Sequence, residues 1–229
     1  MLINMKNVLI VASHIDDESF GMGGAICKHT QAGDVVDVLT LTDSCSAQYR
    51  NKDWKKILNQ KKKEAQNAMD ILGVRKIEFN SLPDMKLDTV AHVDVNNIIS
   101  KKIESFDPEI VYTHFRDDLN SDHRCVFEST MVSCRPIQSD LGSSNRKIIS
   151  YEVPSCTEWG LDCFRPNLYV ELTPNLVDKK MQAITYYESE IRDWPHPRSP
   201  DAVMYQMKHY GSTCGCYAAE RFQVIREIV

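Results

Sequence analysis

The chain has 229 residues, of which 42% are hydrophobic and 26% charged, and its net charge is −5 at neutral pH. This length is enough for one sizeable core, and the composition is ordinary for a globular protein. The acidic balance argues against nucleic acid or an anionic membrane as the main partner. We therefore expect a single domain spanning residues 1–229, with no nucleic acid and no membrane among its partners.

The start of the chain and its cysteines indicate a compartment. The first residues lack the basic start, apolar stretch and cleavage site of a signal peptide. No apolar run approaches the ~20 residues needed to cross a bilayer. The eight cysteines are scattered without a CxxC pair, in a chain too large to need a disulfide framework. These features predict reduced thiols in a cytoplasmic protein.

Strands and helices alternate along the chain. Hydrophobic periodicity predicts strands at 8–12, 35–41, 76–79 and 109–113, and helices at 23–31, 54–72, 93–106 and 123–134. Beyond residue 146 the pattern is mixed, with strands at 147–153 and 168–172, helices at 175–189 and 202–209, and a proline-rich loop at 194–200. This alternation is typical of an α/β protein with a single doubly wound, mostly parallel, Rossmann-like sheet and a C-terminal extension.

Two conspicuous patterns are interpreted structurally. The lysines at 61–63 lie in a helical pattern, which predicts a solvated helix face. The run Gly21-Met22-Gly23-Gly24 suggests a dinucleotide fingerprint, but Ile26 stands where its last glycine should be. We expect these glycines to permit close packing of a helix on the sheet or to leave room for substrate.

The segment Ser13-His14-Ile15-Asp16-Asp17-Glu18 directly follows the first strand. Side chains three residues apart on a turn lie on one face, so His14 and Asp17 can reach one ion. Three consecutive acids repel one another unless a cation or a helix N-terminus offsets their charge. Taken alone, the acids fit the start of a helix equally well.

A second polar cluster, Asn120-Ser121-Asp122-His123, lies a few residues past the strand at 109–113. Ligands of open parallel sheets bind at the carboxyl ends of the strands, where the strand order reverses. His14, Asp17 and His123 would supply two imidazoles and one carboxylate, which suits a catalytic zinc with one open position. Asp16 would remain beside the metal, free to act in metal-assisted hydrolysis.

Neighbouring residues are candidates for supporting roles. His114 ends the preceding strand, where it could donate a hydrogen bond to the reacting oxygen or only cap the strand. Asp122 could orient an imidazole or an arginine, as metal-bound histidines usually require. The loops at 158–159 and 194–199 contain aromatic and basic groups that suit a sugar or other polar ring, although buried tryptophan packing explains them at least as well. The loops at 47–53 and 156–167 are expected to set the choice of substrate. Four residues are assigned to substrate binding: Arg50, Trp194, His196 and Arg198.

The first segment resembles the A-H-P-D-D-E signature of the LmbE-like, or PIG-L, deacetylases. Residues 118–124, Asp-Leu-Asn-Ser-Asp-His-Arg, look like the family's second motif, and the likeness extends over nearly the whole chain, including residues 187–190 and 194–199. The resemblance implies the LmbE-type fold and a zinc hydrolase that removes acetyl groups from N-acetylglucosamine-type substrates or related amides. It also implies one zinc per chain on His14, Asp17 and His123, with Asp16 as general base.

Two positions depart from the family pattern. The signature proline is Ile15, and Asn120 stands where many members carry a histidine three residues before the last ligand. Stabilisation of the transition-state oxygen would then fall to Asn120, His114 or His196, and Asp122 is also assigned to the catalytic group.

These observations predict a zinc-dependent hydrolase that cleaves the N-acetyl or other N-acyl bond of an amino sugar or sugar conjugate. One alternative is a metal-dependent phosphoesterase, whose two-metal sites need more bridging carboxylates. Another is a non-enzymatic sugar- or nucleotide-binding module on the same fold. The sequence leaves open both the individual substrate and the oligomeric state, including whether the chain forms a homo-oligomer.

Overall fold

The computed structural model describes residues 5–47, 53–136 and 146–228. The strands are β1 (Asn7–Ala12), β2 (Val35–Thr42), β3 (Lys76–Leu82), β4 (Ile110–Thr113), β5 (Lys147–Tyr151), β6 (Leu168–Leu172) and β7 (Ala218–Arg226). The helices are α1 (Asp17–Gln31), α2 (Trp54–Leu72), α3 (His92–Phe106), α4 (Ser121–Ser133), α5 (Pro174–Ile184) and α6 (Pro200–Cys214). Short 3-10 turns lie at Leu87–Thr89 and Thr157–Trp159.

Within the described residues the strands form one sheet in the order β3-β2-β1-β4-β5-β7-β6. The five strands from β3 to β5 in this order pair in parallel, whereas β7 pairs antiparallel with both β5 and β6. After β3 the chain returns to the other side of β1, so the strand order reverses between β1 and β4. The loops that follow these two strands therefore border the crevice where such folds bind ligands.

Helices cover both faces of the sheet. Alternate residues of β1 point to opposite sides, with Val8 and Ile10 in one core cluster and Leu9 and Val11 in the other. The first cluster includes buried residues of α1, α2, α5 and α6, and the second includes those of α3 and α4. Burial on both faces explains why the β1 sequence is a continuous apolar run. None of the described helices is both long and apolar enough to cross a membrane.

The predicted doubly wound α/β sheet is confirmed, and the differences are local. The sequence interpretation missed β7, in which the buried Glu220 interrupts the apolar pattern. α1 begins at Asp17 rather than residue 23 because a kink at Met22, with φ −145°, separates an extra first turn from the regular helix. α5 ends at Ile184 rather than residue 189, since Tyr187 turns inward and donates a hydrogen bond to Glu18 at 2.6 Å.

The glycines of α1 permit close packing, as predicted. A Cβ atom added at Gly21 would lie 2.6 Å from the backbone oxygen of Glu152. One added at Gly24 would lie 2.6 Å from Cδ1 of Leu172. Both separations are far below van der Waals contact. At Gly21 the clash is with backbone, so the helix could not approach the sheet this closely with a larger residue there, whereas at Gly24 the side chain of Leu172 would have to move.

Glu220 connects β7 to α1 and α5, and we expect Glu220→Ala to lower the free energy of unfolding by about 3–5 kcal/mol. Its carboxylate accepts hydrogen bonds from the backbone N–H groups of Gly24 at 2.9 Å and Ala25 at 2.6 Å, and pairs with Lys180 at 2.7 Å. Its removal leaves a buried ammonium group without its counter-charge. Urea unfolding would measure the loss.

The matched control is Glu227→Ala, which breaks the exposed pair between Glu227 and Lys147 at 3.1 Å. Exposed ion pairs contribute less than about 1 kcal/mol to stability, so the urea midpoint of this variant should stay close to that of wild type. Equal effects of the two substitutions would contradict the role assigned to Glu220.

Candidate active site

The loops after β1 and β4 bring two imidazoles and one carboxylate to the crevice. His14 Nδ1 lies 3.2 Å from Asp17 Oδ2 and 3.3 Å from His123 Nε2, and the last two atoms are 3.4 Å apart. Donor atoms held about 2.0–2.1 Å from one tetrahedral ion would lie about 3.3–3.4 Å apart. The three atoms therefore fit one face of a tetrahedral metal site.

The side chain of Asp17 has a second feature that fits a cation. It is fully buried, and its Oδ1 atom has no hydrogen-bond partner among the described residues. Burial would raise the pKa of Asp17, but His123 and His14 lower it well below its usual range. A buried, ionised carboxylate with an unpaired oxygen requires a positive partner.

The ring nitrogen of His14 that faces away from Asp17 is held by carboxylates. His14 Nε2 lies 3.3 Å from Asp122 Oδ2 and 3.4 Å from Asp84 Oδ1. Asp122 is fixed in turn, because it accepts backbone N–H groups from Met85 at 2.8 Å and Leu87 at 3.0 Å. This arrangement leaves Nδ1 of His14 as the metal-facing nitrogen, and a carboxylate behind a histidine is the usual support of a metal ligand.

His123 has the same kind of support. Its Nδ1 lies 3.2 Å from Asp118 Oδ1, so that Nε2 faces His14 and Asp17. Thr157 donates a hydrogen bond of 2.6 Å to the other oxygen of Asp118, which ties the loop after β5 to this support.

The two histidines would bind protons in the absence of another cation. Burial lowers the pKa of His14, but Asp17 and Asp122 outweigh it and raise the pKa to about 10. Burial also opposes protonation of His123, whose pKa is nevertheless raised by Asp17 and Asp118. The cluster is therefore built for positive charge, which either protons or a metal ion can supply.

Asp16 lies beside this cluster in a strained backbone conformation. Its φ is 131°, a value that non-glycine residues rarely adopt and that tends to occur at functional sites. Its Oδ2 atom is 2.7 Å from Arg198 Nη1. Burial raises the pKa of Asp16 to about 7, against the opposing effect of Arg198. A carboxylate with this pKa can accept and return a proton near neutral pH.

The three consecutive acids have different surroundings. Asp17 faces the histidines and Asp16 faces Arg198, whereas Glu18 accepts hydrogen bonds from Tyr187 at 2.6 Å and Ser19 at 3.0 Å. Glu18 also accepts the backbone N–H of Asp16 at 3.2 Å, which helps to hold the strained residue. The acids therefore do more than complement the start of α1.

A cavity of about 250 Å³ opens at this site. The described residues that line it are His14, Ile15, Asp16, Ser44, Lys61, Asp84, Met85, Asn120, Ser155, Cys156, Glu190, Arg192, His196 and Arg198. A larger cavity of about 510 Å³ lies at the opposite edge of the sheet, between α1 and β6, and its lining includes none of His14, Asp16, Asp17 and His123. The smaller cavity is therefore the candidate active site.

The residues assigned to substrate binding fall in different places. His196 and Arg198 line the cavity, whereas the side chain of Trp194 is 60% exposed and packs edge-on against Tyr205, with ring centroids 5.7 Å apart. Arg50 lies outside the described residues.

His114, the first of the three candidates for stabilising the reacting oxygen, lies behind the cavity. Its Nε2 accepts the backbone N–H of Ser13 at 2.8 Å, and its ring stacks on His123 with centroids 3.9 Å apart. Burial lowers its pKa well below the usual range, so the ring is neutral. These contacts favour support of His123 over contact with substrate.

Asn120 and His196, the other two candidates, both line the cavity. Asn120 caps α4 by accepting the backbone N–H of Asp122 at 2.9 Å, which directs its amide nitrogen away from the helix, and one of the two amide N–H groups contacts Met85 Sδ at 3.6 Å. His196 Nδ1 accepts the backbone N–H of Arg198 at 3.0 Å, so a neutral ring carries its proton on Nε2. Each residue thus has one N–H donor left for a ligand.

The sequence analysis missed several residues of the site, and its prediction of a solvated helix face at 61–63 is wrong for Lys61. Lys61 was expected on a solvated face, yet its side chain is 5% exposed and pairs with Glu190 at 2.7 Å. The signal was present, because Lys61 precedes the buried residues Ala65 and Ala68 of α2 at helical spacing. The contribution of Asp84 carries no comparable signal, since it comes from an irregular loop after β3.

The role of Trp194 can be tested by Trp194→Ala. If the ring stacks on a bound sugar, KM should rise about 2- to 10-fold at unchanged kcat, the value of one aromatic contact. Tyr205→Ala is the control, because it removes the ring against which Trp194 packs without changing Trp194 itself. Unchanged steady-state kinetics in Trp194→Ala would assign the ring to loop structure alone.

Comparison with known proteins places the chain among deacetylases and one hydratase. An Escherichia coli (strain K12) protein described as an uncharacterized deacetylase, YaiS, is 28% identical over 193 residues, which cover 80% of this chain and 91% of that protein. A 4-oxalmesaconate hydratase of Pseudomonas putida (strain KT2440) is 25% identical over 207 residues, covering 83% and 76% of the two chains.

Among solved structures, the N,N'-diacetylchitobiose deacetylase of Pyrococcus horikoshii superposes with a TM-score of 0.79 at 22% identity, over 97% of this chain and 84% of that one. This likeness shows a shared fold. The family model described as "PIG-L: GlcNAc-PI de-N-acetylase" matches residues 9–134, a stretch that contains both polar clusters and more than half of the chain. The protein therefore belongs to the PIG-L (LmbE-like) family of de-N-acetylases.

Proposed function

We propose that the protein is a zinc-dependent hydrolase that removes the N-acetyl group from an amino sugar or sugar conjugate. The observation that carries the proposal is the position of Asp16. A carboxylate that can bind a proton near neutral pH lies on a cavity beside three ligand atoms spaced for one tetrahedral ion. Metal-assisted amide hydrolysis uses this combination of a metal site with an open position and a separate base.

The proposed ligands are His14 Nδ1, Asp17 Oδ2 and His123 Nε2, with one zinc per chain. Two imidazoles and one carboxylate suit zinc better than magnesium or calcium, which prefer oxygen ligands. When bound, zinc would polarise the acetyl carbonyl and lower the pKa of a coordinated water toward ~7.

Asp16 is proposed to move the proton. Its carboxylate takes the proton from the attacking water and then delivers it to the nitrogen of the leaving amine. The C–N bond breaks as that nitrogen is protonated, so acetate and a free amino sugar are the two products. Asp17, although adjacent and chemically identical, is unavailable for this step because it faces His14 and His123.

Asn120 and His196 are proposed to stabilise the negative charge that develops on the acetyl oxygen. Each lines the cavity and has an N–H group directed away from its own backbone contacts, as a preorganised donor requires. Asp122 is proposed to act indirectly by holding His14, and His114 by stacking on His123.

The test is acetate release from a panel of N-acetylated sugars and sugar conjugates. We expect the purified protein to contain about one zinc per chain, to lose activity in chelator and to regain it when zinc is added. Elemental analysis without any divalent metal, combined with full activity in chelator, would refute the metal-dependent mechanism.

Hydration of a carbon–carbon double bond is the second candidate, because one relative is a hydratase. A metal site with an adjacent base could also serve that reaction, so the products must decide. A hydratase would remove the conjugated double bond of an unsaturated acid, which lowers its ultraviolet absorbance, and would release no acetate. A deacetylase would produce acetate and a primary amine in equal amounts.

The two remaining alternatives predict different results in the same experiment. A phosphoesterase would bind two metal ions per chain and release phosphate, and a binding module would bind a sugar without turnover. The eight free cysteines support the proposal of a cytoplasmic location, which cell fractionation would test.

Two further proposals concern the organisation of the chain. Limited proteolysis would test whether residues 1–229 form a single domain, and light scattering would determine the oligomeric state.

A further inference from the structure

The guanidinium group of Arg198 is held on several sides at the wall of the cavity. Its Nη1 atom lies 2.7 Å from Asp16 Oδ2 and 3.3 Å from Glu190 Oε2. Its Nε atom donates to the backbone oxygen of Pro154 at 3.4 Å, and its central carbon lies 5.4 Å from the ring centre of Phe20. With 14% of the side chain exposed, the group is fixed by protein contacts.

A second layer of contacts supports this pair. Glu190 also pairs with Lys61 at 2.7 Å, and Lys61 donates to the backbone oxygen of Ser44 at 2.7 Å. Ser44 Oγ accepts the backbone N–H of Ile15 at 2.8 Å. The contacts therefore return to the residue that precedes Asp16, so the side chain of Asp16 and the backbone of Ile15 are tied to one network.

The charges of this network balance internally. When Asp16 is ionised, Asp16 and Glu190 supply two negative charges, and Arg198 and Lys61 supply two positive ones. An arginine that binds an anionic part of a substrate needs charge that the protein has not already paired. Nη1 of Arg198 contacts both Asp16 and Glu190, so its charge is already paired, which favours a role in holding Asp16 over the substrate-binding role expected from the sequence.

We propose that Arg198 is a positioning residue for Asp16. It binds one carboxylate oxygen, Oδ2, so that Oδ1 is presented to the attacking water, while Glu190 holds the guanidinium group in place. Arg198 stays protonated throughout and transfers no proton. This inference rests on the proposed function, in which Asp16 is the base.

The kinetic test is Arg198→Met, which keeps the bulk of the side chain without its charge. Loss of alignment of Asp16 should lower kcat about 10- to 100-fold and leave KM within about twofold of wild type. A rise in KM at unchanged kcat would overturn the proposal and restore the substrate-binding role.

Two further variants separate positioning from general damage. In Arg198→Ala, added guanidinium chloride at low concentration should raise kcat several-fold, while the same concentration of potassium chloride should not. Arg221→Met is the matched control, because Arg221 pairs with the buried Glu152 at 2.7 Å in another cavity. It should lower stability but leave kcat and KM unchanged.

The decisive measurement is whether Arg198 acts through Asp16. In an Asp16→Asn background, Arg198→Met should lower kcat no further, because the group that it positions has been removed. Full additivity of the two losses in kcat would overturn the proposal.

A readout without substrate keeps this inference separate from the proposed function. In the zinc-loaded protein, the shifts in urea midpoint caused by Asp16→Asn and Arg198→Met should be non-additive. If wild type releases no acetate from any N-acetyl sugar, the proposed function fails. The urea measurements would still test whether Arg198 holds Asp16, because additive shifts in the urea midpoint would contradict that interaction.

Discussion

Asp16→Asn is expected to keep its zinc and its fold while turnover falls by about 10²-fold or more, the usual contribution of a positioned base. Asparagine preserves the size of the side chain and can still accept the hydrogen bond from Arg198 at Oδ1, but it cannot take a proton from water. Added zinc should not restore the activity, because the metal site is intact. Elemental analysis, thermal unfolding and steady-state kinetics on one preparation would measure all three quantities.

Asp43→Asn provides the control for a buried aspartate of the same sheet edge. Asp43 accepts the backbone N–H groups of Cys45 at 3.1 Å and Ser46 at 2.9 Å, and an asparagine oxygen can accept both. We expect wild-type kinetics from this variant.

If Asp16→Asn loses the metal while Asp17→Asn retains it, the roles of the two carboxylates are reversed. If both variants remain fully active, the protein is not a hydrolase of this kind.

The sheet and the two polar clusters could be predicted because their signals are local. The apolar run of β1 ends just before the first cluster and that of β4 a few residues before the second, and parallel strands bring their carboxyl ends to one edge. The proximity of His14 and Asp17 could be predicted for the same reason, because residues three apart on one turn lie on the same face. Where the periodic signal was interrupted by a buried charge, as at Glu220 in β7, the strand was missed.

The contacts of Asp16 could not be predicted because they are long-range. Arg198 is 182 positions away along the chain, and its side chain reaches Asp16 only through the loop between α5 and α6. Composition and spacing identify Arg198 as a basic residue in an aromatic loop, which suggests contact with substrate. Its position beside Asp16 and Glu190 depends on tertiary packing, as does the burial of Lys61.

Asp17→Ala is expected to abolish high-affinity zinc binding and activity together, since it removes the carboxylate shared by His14 and His123. A ligand that binds only the folded state stabilises it by about 2.7 kcal/mol at a hundredfold excess over its Kd. Chelation should therefore lower the Tm of wild type, whereas the Tm of Asp17→Ala should not respond to chelator. Differential scanning calorimetry with and without chelator would measure both.

Asp118→Asn provides a graded comparison, because Asp118 contacts His123 at 3.2 Å on the ring nitrogen that faces away from the site. Loss of such outer support usually lowers metal affinity about 10- to 100-fold. This variant should lose activity at low zinc and recover it at high zinc, whereas Asp17→Ala should stay inactive at every concentration. Recovery of Asp17→Ala by zinc would remove Asp17 from the ligand set. Indifference of Asp118→Asn to zinc would mean that Asp118 holds the loop after β5 rather than the ligand His123.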